Sequence, residues 1–100
     1  MAETVAGVAQ VFEVTVPAIN QALQQVQQAL DRAAGLQGAS LGPLQVLEPT
    51  VAATNQALLE AQQRLAMLAG HAVGPFQVGE MTISSVNSAL LDVMRAVHAL

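Results

Sequence analysis

Cysteine, tryptophan, tyrosine and lysine are all missing from this chain of 100 residues, and each absence closes off chemistry. Without cysteine there are no disulfides and no thiolate metal ligands. Without lysine, only Arg32, Arg64 and Arg95 stand against seven carboxylates, for a net charge of -4. A nucleic-acid binder needs a basic face to displace counterions, and three dispersed arginines do not make one. The same deficit argues against docking on an anionic membrane surface. Aromatic side chains are reduced to Phe12 and Phe76. Long apolar runs are missing too: residues 33–47 and 65–79 are uncharged, but each is 15 residues long and broken by Gly and Pro. A membrane-spanning helix needs about 20 residues, so none is expected. The opening MAETVAGVAQ has no basic stretch leading into an apolar run, so no secretory signal is expected either.

What is present is apolar and repetitive. Hydrophobic residues make up 53% of the chain and charged ones 10%. A chain this small has a high surface-to-volume ratio and little room to hide so much apolar surface, which points to an oligomer or polymer. Residues 7–23 (GVAQVFEVTVPAINQAL), 42–58 (GPLQVLEPTVAATNQAL) and 74–90 (GPFQVGEMTISSVNSAL) share one frame, at spacings of 35 and then 32 residues. The second and third agree at nine of 17 positions, and residues 13–35 match 48–70 at 13 of 23. The reading is a single domain, 1–100, made of three internal repeats at about 7–35, 42–70 and 74–100. Units this small cannot each bury a core alone, so they must stack or assemble.

The shared threonines Thr15, Thr50 and Thr82 suit helix N-caps, where the hydroxyl accepts a backbone N–H two or three residues on. That boundary places Pro17 in a first turn, where its missing N–H is harmless, and leaves Pro49 outside the helix. Beyond each Thr the apolar residues step by 3, 4, 3, 4, the seam of an amphipathic helix. The seams are Val16, Ile19, Leu23, Val26 and Leu30; Val51, Leu58, Leu65 and Leu68; and Ile83, Val86, Leu90, Val93 and Val97. They are continued or joined by Ala33, Thr54, Ala61 and Leu100. The pattern predicts an all-α fold with helices near 15–34, 50–69 and 82–100, the seams packing helices within and between subunits. Gly35 and Gly70 suit the positions just past the first two helices. The linkers carry Gly and Pro, then a Leu-Gln-Val or Phe-Gln-Val piece that reads as a short extended segment. At the start of the chain two readings compete: a short helix striped by Val5, Val8 and Phe12, or an extended segment over 9–12.

Catalytic residues are not expected. Ser40, Ser84, Ser85 and Ser88 have no histidine near them in sequence, and no glycine leads into a Lys-Ser or Lys-Thr phosphate loop. His71 and His98 lie 27 residues apart, unlike a compact metal-ligand spacing, so neither a metal nor a cofactor is expected. Glu13, Glu48 and Glu80 each precede a capping Thr by two residues. They read either as partners of a helix N-terminus or as carboxylates at a subunit contact, where acid changes the packing; with His71 and His98 they are the candidate pH-sensing residues. Asn20, Asn55 and Asn87 read either as register-fixing polar residues in a helical interface or as a solvated flank. Gln24, Gln25, Gln27, Gln28, Gln62 and Gln63 are expected mainly on outer helix faces.

The stretch EAQQRLAMLAGHA at residues 60–72 resembles the RebB (killing-trait) family of refractile-body, or R-body, proteins. The resemblance is carried by Ala61, Gln62, Gln63, Leu65, Leu68 and Ala69, and by Gln45-Val46, Glu48 and Thr54-Asn55 upstream. It implies a small hydrophobic structural protein that polymerises into a coiled ribbon in the bacterial cytoplasm, unrolls in acid, and acts on membranes only indirectly. It brings no enzyme activity and no cofactor. The expected partner is then the chain itself, or paralogous subunits. The competing expectation is a small helical bundle or adaptor that covers its apolar seams with a different protein, such as a secretion- or phage-apparatus component.

Overall fold

A computed structural model describes residues 9–35 and 42–100. The chain folds as three α-helices with no strand among the described residues: α1 (Val16–Ala33), α2 (Val51–Ala69) and α3 (Ile83–His98). Every helix touches both others. The radius of gyration, 12.6 Å, is what a compact chain of this length should have, about 13 Å. Val5 and Val8, the stripe of the alternative N-terminal helix, lie outside the described residues; Ala9–Val11 is extended and Phe12 is exposed.

Each helix begins where its threonine predicts. Thr15, Thr50 and Thr82 have extended backbones and accept from the N–H of Ala18, Ala53 and Ser85 at 3.3, 3.2 and 3.1 Å. Such a cap contributes about 1 kcal/mol. Pro17 sits in the first turn of α1, where its lack of an N–H costs nothing. Gly70 ends α2 at φ +80, the left-handed conformation that glycine adopts freely, and its N–H donates to the Ala66 carbonyl at 2.9 Å.

The core is built from the seams. Ile19, Leu23, Val26, Leu30, Leu58, Leu65, Val86, Leu90, Val93 and Val97 are all buried in one cluster. They face one another inside a single chain, so the seams close this molecule's own core. Val16 and Val51 are half-buried. Leu68 and Ile83, predicted on the seam, are exposed, as are Ala33 and Leu100. All four stand at helix ends or just beyond one. A straight helix drifts about 20° per heptad from a 3.5-residue seam, so the stripe leaves the core there. Thr54 takes a buried seam position, its hydroxyl 3.6 Å from the Met81 sulfur.

Three extended segments complete the core: Ala9–Val11, Leu44–Val46 and Phe76–Val78. Their outer residues are buried and the central glutamines exposed, the alternation of a strand with one face on a core. None of them pairs with a strand among the described residues.

Candidate functional site

An extended segment without a neighbouring strand leaves backbone donors and acceptors to satisfy, and buried ones left open cost about 1–3 kcal/mol each. Asparagine supplies the answer, because its amide presents one acceptor and two donors in a plane. Asn20 on α1 accepts from the Val46 N–H at 2.7 Å and donates to the Val46 carbonyl at 3.1 Å. Asn55 on α2 holds Val78 in the same way, at 2.7 and 3.0 Å. Asn87 on α3 holds Val11, at 2.6 and 2.9 Å. The order is cyclic: the second segment docks on α1, the third on α2, and the first on α3. Each asparagine stands in for a neighbouring β-strand. Neither sequence reading describes these residues: they are half-buried, and their amides bond the backbone of a non-helical segment where a helix-interface asparagine would meet a facing helix.

Two of the clamps have a further bond. Gln27 Oε1 accepts from the Leu44 N–H at 3.2 Å, and Gln62 Oε1 from the Phe76 N–H at 3.3 Å. These two glutamines are half-buried, while Gln24, Gln25, Gln28 and Gln63 lie on the outside as expected. At the matching position of α3 stands Met94, buried and unable to offer an amide oxygen. Gly74 fits this arrangement closely. A Cβ there would lie 2.8 Å from the Gln62 amide carbon, and its φ of +92 already favours glycine. Arg64 adds a charged contact, donating from Nη1 to the Gly42 carbonyl at 2.9 Å.

The repeated glutamates are exposed. Each accepts from the hydroxyl of its capping threonine: Thr15 to Glu13 at 2.8 Å, Thr50 to Glu48 at 3.0 Å and Thr82 to Glu80 at 3.4 Å. With its hydrogen committed to the carboxylate, the hydroxyl turns its lone pairs to the helix N–H groups, and the negative charge faces the positive helix end. His71 is exposed beside the Ala72 carbonyl, and His98 is exposed in the last turn of α3.

The surface clefts are shallow and rich in glutamine. One of about 450 Å³ between α1 and α3 contains Arg32 and His98 but no nucleophile. Among the described residues, no three His, Asp or Glu side chains gather as a metal site, and no helix is long and apolar enough to cross a membrane. Two clefts match one another: one beside Val11, Phe12 and Glu13 of about 530 Å³, and one beside Val46, Leu47 and Glu48 of about 680 Å³. Phe12, which lines the first, is 81% exposed and Leu47, which lines the second, is 88% exposed; Met67, on α2 and outside both clefts, is 84% exposed. The corresponding residue of the third unit is Gly79. Comparison of the chain with protein-family models, with curated proteins and with solved structures found no match in any of the three.

Proposed function

We propose that this chain is a non-catalytic structural subunit that assembles with copies of itself, of the kind the R-body resemblance implies. The observation that carries the reading is the outward display of Phe12, Leu47 and Met67 on a chain whose core is already closed. Phe12 and Leu47 each stand beside a cleft of the same make-up, so the same kind of apolar contact is offered twice. Because the helical seams are consumed inside the molecule, the contacts between subunits run through this rim and not through the seams. In this reading the three sequence copies are equivalent units closing on one another through the asparagine clamps. The partners are further copies or paralogous subunits in a bacterial cytoplasm, with membranes affected only through the finished polymer. An acid response acts at Glu13, Glu48 and Glu80 or at His71 and His98, all of them exposed and free to meet another subunit.

The test is electron microscopy and light scattering of the purified chain at neutral pH and near pH 5. Ribbons or filaments are the expected outcome, with a change of form in acid. Discrete monomers at both pH values overturn the reading. They would favour a second one, a small helical adaptor for a different protein, which would bind through exposed side chains such as Phe12 and Leu47, since a single copy already buries its own seams.

A further inference from the structure

The three clamps are chemically alike but unequal as junctions. Val46 and Val78 are held by asparagines 26 and 23 residues away, so a short linker keeps each of these segments near its helix. Val11 and Asn87 are 76 residues apart, and no short linker joins them. That junction also lacks the glutamine bond, because Met94 replaces Gln27 and Gln62. Its apolar anchor is Ala9, where the other segments carry Leu44 and Phe76. By all three measures it is the first to open.

When it opens, the chain presents a free donor, Ala9–Val11, and a free acceptor, the α3 face around Asn87. We infer that the segment docks in trans, on α3 of a second copy, and links copies head to tail. The occupant is fixed by chemistry on the molecule: the α3 site already binds this segment, and a second copy offers the identical segment with the same two hydrogen bonds. Contact between unlike surfaces of identical chains propagates unless a rotation closes it, so exchange yields an open chain of subunits wherever it does not close into a reciprocal dimer or ring. In-cis docking dominates in dilute protein and exchange gains with concentration. The inference rests on the self-assembly reading and gives it a route.

The test uses two variants that are defective in opposite ways. Val11→Asp removes the donor and keeps the acceptor; Asn87→Ala removes the acceptor and keeps the donor. At concentrations too low for the surface contacts of Phe12, Leu47 and Met67 to hold, each alone is expected to run as a monomer in size-exclusion chromatography with light scattering. An equimolar mixture is expected to give a species of twice the mass that stops there, since only one productive junction remains. Wild-type protein carries an independent measurement that does not depend on either variant folding. In a mixture of isotope-labelled and unlabelled copies at high concentration, an isotope-filtered NOE is expected between Val11 of one copy and Asn87 of another. Wild-type oligomers without that NOE overturn the exchange and leave the rim-mediated assembly standing. A wild-type chain that stays monomeric at millimolar concentration overturns both.

Discussion

The junction of Leu44–Val46 with α1 and the junction of Ala9–Val11 with α3 are the same device built to different strengths. The first has an asparagine clamp, a glutamine bond to Leu44, a leucine anchor and a covalent link of moderate length. Among the described residues, the second has the clamp and an alanine, without a glutamine bond. The difference separates two jobs. Holding an extended segment needs its backbone polar groups satisfied, and one asparagine does that. Holding it permanently depends on additional apolar area more than on a short loop, because each doubling of loop length costs only about 0.6 kcal/mol while the loss of a leucine-sized contact costs several times more.

The comparison breaks most sharply if a charge is forced under each segment. Val46→Asp would bury an unpaired carboxylate in a segment tied into the core on both sides, at a cost of at least about 4 kcal/mol. We expect most of the helical circular dichroism to be lost at 25 °C. Val11→Asp carries the same charge, but its segment can leave α3, so the helices should persist with a lowered melting temperature. Equal losses from the two variants would mean that the junctions are equally integral to the fold.

A milder change converts the strong kind of junction into the weak kind. Gln62→Met on α2 reproduces what α3 has at Met94, removing the bond to the Phe76 N–H while keeping a long side chain. The expected cost is about 0.5–1.5 kcal/mol in denaturant unfolding. Native-state hydrogen exchange at Val78 should rise by about fivefold, toward the rate at Val11. An unchanged exchange rate at Val78 would remove the glutamine bond from the list of differences that matter.

These contrasts show where the sequence was legible. The helices were readable because capping and seam periodicity are local: Thr50, the residues that follow it and Gly70 delimit α2 with no knowledge of the rest of the chain. The ends of the seams misled, since Leu68 and Ile83 obey the spacing but lie past the edge of the core. The clamps were half legible. Asparagine and the Gln-Val pair recur nine residues apart in every unit, at Val11 and Asn20, Val46 and Asn55, and Val78 and Asn87. Within one unit, however, the two do not bond; Asn20 holds Val46 of the next unit, 26 residues on. A single sequence records that both residues are required and not which one meets which. The same non-locality hid the fate of the seams: periodicity says that a face is buried, while the closure of the first segment on α3 decides that one chain suffices to bury it.

The smallest effect on stability belongs to the residues proposed as the contact between subunits. Phe12 and Leu47 follow the clamped valines in two units and stand almost wholly in solvent, while the third unit has Gly79 at the same place. Replacing both with serine removes no core contact, so the unfolding free energy should move by no more than about 0.5 kcal/mol. If the rim is the contact between subunits, the double variant should nevertheless lose its filaments in electron microscopy and run as a monomer. If copies are joined by exchange of Ala9–Val11 alone, assembly should survive, because neither serine touches the hydrogen bonds between Val11 and Asn87. A single variant thereby separates an assembly held by side chains on the surface from one held by a shared backbone segment, at almost no cost to the fold that both require.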